Sequence, residues 1–70
     1  MTPQNYYFSF NGNKFYECRG NHIIDALSIL YHWHKTKFRV NKYITIKHED
    51  GHIEKEEVTK ELLKTLKKYN

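Results

Sequence analysis

Three side chains on one face of a predicted helix have the residue types of a hydrolase triad. Ser28 and His32 lie one helical turn apart, so their side chains are within reach of each other. Asp25 is a further turn away, about 10 Å from His32 along the axis, so the acid cannot hold the imidazole as a triad requires. No Gly-x-Ser-x-Gly elbow is present to expose a serine nucleophile. We therefore predict a solvated polar face and no enzyme activity.

The five histidines and the single cysteine lack the spacing of a metal site. His32 and His34 lie about 200° apart around a helix, and His48 and His52 flank a predicted two-residue turn that sends them to opposite faces. A lone Cys18 is too little for structural zinc, and it cannot form an intrachain disulfide, which fits a reducing, cytoplasmic location. The three isolated glycines form no phosphate-binding loop. We predict no metal and no cofactor, and a site assembled from distant residues by folding is the alternative left open.

Length and composition describe one small domain spanning residues 1–70. Apolar types make up 39% and charged types 29% of the 70 residues, as in ordinary globular domains. No apolar run approaches the roughly 20 residues that a bilayer requires, and residues 1–10 lack the basic start and apolar stretch of a signal peptide. These features exclude multidomain, membrane-spanning, disulfide-stapled and coiled-coil classes.

Two aromatic runs separated by Asn11-Gly12 predict a first hairpin over residues 6–19. Asn-Gly favours a two-residue type I′ turn, because both central residues of that turn need a positive φ. Such a turn pairs Tyr7 with Tyr16. It predicts a sheet face, turned away from the helices, that contains Tyr7, Lys14, Tyr16, Tyr43, Thr45 and Lys47. A three-residue loop would slip the pairing by one residue and reassign the faces of the second strand.

The segment 22–36 has the clearest helical periodicity, and Asn21 before it is a suitable N-cap. Its apolar residues spread over about 220°, whereas a helix that covers one sheet needs a stripe of about 100°. This surplus predicts that a second apolar surface meets the helix. That surface is either the C-terminal helix or a partner molecule, and a homodimer joined through this helix is one such arrangement.

The remaining elements complete an α+β fold. Alternation after residue 42 and the dipeptide Asp50-Gly51 predict a hairpin over 42–55, with a charged return strand that suits a sheet edge. Thr59 is predicted to cap a final helix over 59–69. The order ββαββα predicts a small, single-layer, antiparallel or mixed four-stranded sheet that helices cover on one face.

The order and spacing of these elements resemble the β-grasp fold of ubiquitin and of bacterial immunoglobulin-binding domains over about residues 5–55. The resemblance implies a mixed sheet in which the first and last strands lie side by side and parallel at the centre. It carries no functional motif, and fold alone does not give function.

Two candidate binding surfaces follow from the pattern. Aromatic rings with interleaved lysines on the sheet face suit the stacking of unpaired bases, and a tyrosine-rich face equally suits a protein interface. The second surface is a basic patch that contains Lys35, Lys37, Arg39, Lys42, Lys60, Lys64, Lys67 and Lys68. The formal net charge of +4 lies wholly in residues 35–70 and can steer an acidic partner. The patch binds phosphate as one surface only if its two segments meet in space.

The leading hypothesis is a small non-catalytic binding protein that occupies a surface of a host protein or nucleoprotein complex. The chain is rich in residue types that AT-rich codons encode, including 6 tyrosines and 4 phenylalanines. This composition and the small size favour a phage or mobile-element origin, and an inhibitor-like role against host defence in the host cytoplasm. The alternative hypothesis is a stand-alone module that binds single-stranded DNA or RNA.

Overall fold

The computed structural model describes residues 2–69, which form four strands and three helices. The strands are β1 (Gln4–Ser9), β2 (Tyr16–Gly20), β3 (Tyr43–His48) and β4 (Ile53–Glu57), and the helices are α1 (Ile23–Trp33), α2 (Lys35–Val40) and α3 (Lys60–Tyr69). The sheet has the order β2-β1-β3-β4, and every neighbouring pair is antiparallel. The predicted α+β class and the order ββαββα are confirmed. None of the helices between residues 2 and 69 has the length and apolarity needed to traverse a bilayer.

The β-grasp arrangement is wrong for this chain. A β-grasp sheet would place the first and last strands side by side, whereas here β1 lies between β2 and β3, and β4 occupies an edge. The sequence of β4, Ile-Glu-Lys-Glu-Glu, accounts for this position. Charged side chains are tolerated at a sheet edge, where they also prevent pairing with other chains.

The helix predicted over 22–36 is divided in two at His34. The backbone of His34 has φ −134° and ψ 45°, outside the helical region, so α1 ends there and α2 begins in a new direction. Phe38 explains the change of direction, because its ring is buried edge-on against Phe10 at 5.4 Å and Tyr31 at 5.2 Å between centroids. A straight helix would carry Phe38 away from these partners.

The start of α1 packs closely against the end of β2. The N-cap is His22 rather than the predicted Asn21, since His22 Nδ1 accepts a 3.4 Å hydrogen bond from the Asp25 amide. The Asp25 carboxylate in turn accepts from the backbone amide of Asn21 at 2.9 Å. Gly20 permits the close approach, because a Cβ there would lie 2.7 Å from the backbone nitrogen of Ala26.

The core lies between one face of the sheet and the helices. Its most buried large side chains are Phe8, Leu27, Phe38, Ile44, Ile46 and Leu66. Leu66 comes from α3, so the C-terminal helix supplies the second apolar surface predicted for α1. As predicted, Thr59 caps α3, and its Oγ1 accepts a 3.1 Å bond from the Leu62 amide. Burying each such side chain contributes about 1.5–3 kcal/mol.

Candidate binding surfaces

The β1–β2 turn is not the type I′ turn predicted from Asn11-Gly12. Gly12 has φ +80°, but no residue other than glycine between 2 and 69 has a positive φ, so Asn11 cannot complete that turn. Instead the Ser9 hydroxyl accepts hydrogen bonds from the amides of Asn11 at 3.3 Å and Gly12 at 2.8 Å. The Asn11 side-chain oxygen accepts from the amides of Asn13 and Lys14 at 2.8 and 3.0 Å. These side chains satisfy the turn amides, which widens the loop.

The wider loop slips the hairpin register by one residue. Tyr16 now pairs with Phe8, and Tyr7 pairs with Glu17. Because strand faces alternate, Tyr16 moves to the helix side of the sheet, where it is half-buried. Lys14 follows it, with its Nζ 5.4 Å from the centre of the Tyr16 ring. The predicted assignment of Tyr16 and Lys14 to the same face as Tyr7 is therefore wrong.

The uncovered face keeps Tyr7, Tyr43, Thr45 and Lys47, but it is not an aromatic platform. Tyr7 pairs with Lys47, which lies four residues along β3 from Tyr43, so the two rings are separated by about 13 Å of strand. The negative charge of Glu17 raises the pKa of Tyr7, with smaller contributions from desolvation and from Glu49. Acidic neighbours at Tyr7 disfavour a phosphate there.

The β3–β4 hairpin also differs from its predicted two-residue turn. Gly51 has φ +90° and its amide donates to the His48 carbonyl at 3.0 Å, which gives a three-residue loop ending in a bulge. The prediction that His48 and His52 point to opposite faces is wrong, since their rings lie 5.3 Å apart. Their Nε2 atoms approach the Glu54 carboxylate at 3.5 and 3.7 Å. Between residues 2 and 69, no group of three or more such side chains is placed to hold a metal ion.

The basic patch is two separate surfaces. Its first segment lies on α2 and the turn after it, and its second segment lies on α3 at Lys60, Lys64, Lys67 and Lys68. Both helices pack against α1, but within the described residues α2 and α3 do not pack against each other. The condition that the two segments meet is therefore not fulfilled.

The first basic segment joins Tyr16 in a cluster on the helix side. Lys37 Nζ donates a 3.0 Å hydrogen bond to the Tyr16 hydroxyl, and the ring of Tyr16 lies 4.6 Å from that of His34. The hydrogen bond from Lys37, aided by the charge of Lys14, lowers the pKa of Tyr16. Among residues 2–69, the only acid–base pairs within 4.0 Å are the two His–Glu54 contacts. The lysine ammonium groups therefore have no carboxylate partner in the part of the chain that the structure describes.

An apolar surface adjoins this cluster between α1 and β2. A hollow of about 250 Å³ lies there, lined by Tyr16, Glu17, Cys18, Ile29, Leu30, Trp33 and His34. Trp33 is 73% exposed and Ile29, one turn earlier, is 43% exposed. We call these residues together with Lys14 and Lys37 the Trp33 surface. Trp33 is one of the apolar residues of the predicted helix over 22–36, and it was not predicted to bind. The surplus apolar width of that helix was the available signal.

A second hollow lies where the β1–β2 turn and the end of α2 meet the outer side chains of β3 and β4. It has a volume of about 350 Å³ and is lined by Phe10, Asn11, Gly12, Asn41, Lys42, Tyr43, Thr45 and Lys55. We call it the outer hollow. It brings Lys42 of the predicted basic patch together with Tyr43 and Thr45 of the predicted sheet face. Asn11, Asn41 and Lys55 were not predicted as site residues, because only the folded turn and the β3–β4 register bring them together.

The triad-like residues do not form a catalytic arrangement. The Ser28 hydroxyl donates a 2.7 Å hydrogen bond to the backbone carbonyl of Asp25, and Ser28 is buried. The carboxylate of Asp25 bonds the Asn21 amide instead of an imidazole. His32 is exposed and packs edge-on against Trp33 at 5.2 Å.

Comparisons of the chain with protein-family models, with curated proteins and with solved structures found no match. We therefore infer function from the geometry of the two surfaces.

Proposed function

We propose that this chain is a non-catalytic binding protein that docks an acidic surface of a partner protein on its Trp33 surface. The observation that carries the proposal is the exposure of Trp33, 73%, next to Ile29 at the rim of a hollow. Tryptophan is the residue type most enriched among the side chains that dominate binding energy in protein interfaces. Contiguous exposed apolar side chains at a concave site mark an interaction surface.

The charge around Trp33 favours an acidic partner. Lys14 and Lys37 flank Tyr16, and neither has a carboxylate partner within 4.0 Å among residues 2–69. Among the described residues that line the hollow, Glu17 is the one acid. Complementary charge of this kind raises the association rate and orients the partner.

The surface is also organised before binding. Tyr16 is fixed by the bond from Lys37, by the ring of His34 and by an edge-on contact with Phe10 at 6.1 Å. A partner therefore does not have to order this side chain, which reduces the entropic cost of association. The same contacts occupy the Tyr16 ring, and this favours a protein surface over a series of stacked bases. A rigid domain of this kind acts by occupying its partner's surface, which is the inhibitor-like role predicted from the sequence.

The test compares three versions of the tagged chain in an extract of a candidate host, with both proteomic and nucleic-acid readouts. Trp33→Ala should lose a stoichiometric protein that the unchanged chain retains. Ile53→Ala is the matched control, since Ile53 is 59% exposed on the opposite edge strand. It should retain that protein. Circular dichroism should show that both variants are folded.

The captured protein is then purified and titrated with the chain. Trp33 is the only tryptophan, so burial of its indole should shift the fluorescence maximum to shorter wavelength. We expect Trp33→Ala to weaken binding by about 30-fold or more, which corresponds to about 2 kcal/mol. Retention of the same protein by Trp33→Ala, or capture that nuclease abolishes, would overturn the proposal. Sedimentation of the isolated chain tests whether a second copy occupies the surface instead.

A further inference from the structure

The outer hollow has the charge of an anion site. It is lined by Lys42, which immediately precedes β3, and by Lys55 of β4, and its described lining residues include no aspartate or glutamate. Neither ammonium group has a carboxylate within 4.0 Å in residues 2–69. Two unpaired lysines in a concave site attract a phosphate as point charges.

The two asparagines of the outer hollow have fixed and opposite hydrogen-bonding roles. The side-chain oxygen of Asn11 already accepts from turn amides, so its Nδ2 group is the available donor. The Nδ2 group of Asn41 donates to the Lys37 carbonyl at 2.9 Å, so its side-chain oxygen is the available acceptor. Thr45 adds a hydroxyl. The site thus offers a neutral donor and a neutral acceptor beside two cations, which suits a ligand that carries sugar or base groups as well as phosphate.

Tyr43 supplies an aromatic surface at the same place. Its side chain is 51% exposed, and Lys55 Nζ lies 5.9 Å from the centre of its ring. A planar base can stack on such a ring while the nearby ammonium contacts the phosphate. Gly12, where a Cβ would meet nothing within 4 Å, lets a ligand approach the backbone of the turn.

We propose that the outer hollow binds a nucleotide, with its phosphate at Lys42 and Lys55 and its base on Tyr43. The volume of about 350 Å³ is at the lower end of small-molecule sites, which matches a ligand of this size. Its described lining residues all differ from those of the hollow at Trp33. It is therefore a different site from the proposed protein interface, although Phe10, one of its lining residues, contacts Tyr16. The nucleotide is either free or one unit of a single strand.

The test is a titration of the ¹⁵N-labelled chain, monitored by amide chemical shifts, with three probes: inorganic phosphate, adenosine 5′-monophosphate and oligo(dT). We expect shifts centred on Gly12, Lys42 and Lys55, weakest for inorganic phosphate. Lys42→Gln and Lys55→Gln should each weaken binding of the mononucleotide by about ten-fold, as expected for loss of one charge-assisted hydrogen bond. The matched control is Lys60→Gln on α3, which should leave the affinity unchanged.

Variants at Tyr43 separate stacking from charge. Tyr43→Leu should weaken binding of the mononucleotide by about five-fold or more and leave binding of inorganic phosphate unchanged. Tyr43→Phe should keep the affinity for both. Glu57 pairs with Tyr43 across the strands, so Glu57→Gln should strengthen binding.

Tighter binding of oligo(dT) than of the mononucleotide at the same amides would identify a single strand as the source of the nucleotide. Equal or weaker binding of oligo(dT) would identify the free nucleotide.

Two results would overturn the nucleotide site. One is the absence of shifts at the outer hollow with all three probes, and the other is an equal loss of affinity in Lys60→Gln, which would indicate unspecific attraction to lysines. The variant Trp33→Ala should bind the mononucleotide normally. Failure of this proposal is thereby distinguishable from failure of the protein interface.

Discussion

The two hairpins have the same Asx-Gly signal in their sequences, but they differ in whether the first residue of the second strand is buried. Both turns contain an Asx-Gly pair, both put only the glycine at positive φ, and both shift the pairing by one residue from a type I′ register. In the first hairpin the shift carries Tyr16, the first residue of β2, to the helix side. In the second, Ile53, the first residue of β4, is left 59% exposed. An Asx-Gly pair therefore predicts where a chain reverses, while side chains that bond the turn amides decide the register.

The largest expected effect comes from replacing the first residue of each second strand by threonine, which keeps a high strand propensity. Tyr16→Thr loses ring contacts with Phe10 and His34 and the bond from Lys37, so the free energy of unfolding should fall by about 2 kcal/mol. Ile53→Thr should change it by less than about 0.5 kcal/mol. Urea denaturation at neutral pH measures both. If the two variants lost the same free energy of unfolding, the two positions would be equally buried, contrary to the structure.

The turn side chains give the next largest effect. Ser9 is fully buried and its hydroxyl serves the amides of Asn11 and Gly12, so Ser9→Ala should cost about 1–2 kcal/mol of unfolding free energy. Asp50 accepts a single 2.8 Å bond from the His52 amide at an exposed site, so Asp50→Ala should cost about half as much. The measurement is again urea denaturation. If Asp50→Ala lowered the free energy of unfolding more than Ser9→Ala, the second turn and not the first would be the one that its side chain stabilises more.

Replacing the glycine of either turn should have the same effect on stability, so the two hairpins do not differ at this position. Gly12 and Gly51 have φ of +80° and +90°, and a Cβ at either position would meet open space. Gly12→Ala and Gly51→Ala should therefore each cost about 1 kcal/mol through backbone strain alone. Asparagine tolerates this conformation better than alanine, so Gly51→Asn should cost less than Gly51→Ala. A neutral Gly12→Ala would show that the first turn relaxes to a different conformation.

The order of elements was predictable because it depends on local patterns. Strand alternation, helical periodicity and the Asx-Gly pairs are all visible within short windows, and Thr59 as a cap is a local choice as well. The register of the first hairpin was not predictable, since it depends on whether the Ser9 hydroxyl bonds the turn amides. The division at His34 depends on Phe38 meeting Phe10 and Tyr31, a contact made only in the folded chain.

The candidate sites divide in the same way. Lys42, Tyr43 and Thr45 were found because they lie at or beside the start of one strand, where sequence order and spatial order coincide. Asn11 and Lys55 reach the same hollow from another loop and another strand, so only tertiary structure associates them. Tyr16 was assigned to the wrong face because a single residue of register decides the side of a sheet. The exposure of Trp33 depends on where α1 ends and which part of it α3 leaves uncovered.

The smallest expected effect, and the most direct test of the first register, is the titration of Tyr7 and Tyr16. If the two rings shared a face, they would experience similar charges. In the structure Glu17 raises the pKa of Tyr7 above its ordinary value of 10.0, and the bond from Lys37 lowers the pKa of Tyr16 below it. Tyrosine ring ¹³C shifts followed through alkaline pH should resolve the two groups on opposite sides of that value.

The linkage to stability has opposite signs for the two tyrosines. The raised pKa of Tyr7 stabilises the fold below pH 10.0, and this contribution is lost as pH rises through the folded-state pKa. The lowered pKa of Tyr16 stabilises the fold above pH 10.0, and this contribution is lost as pH falls through its folded-state pKa. Glu17→Gln should lower the pKa of Tyr7 alone, and Lys37→Met should raise that of Tyr16 alone. If Glu17→Gln moved both tyrosines equally, the two rings would lie on one face and the slipped register would be wrong.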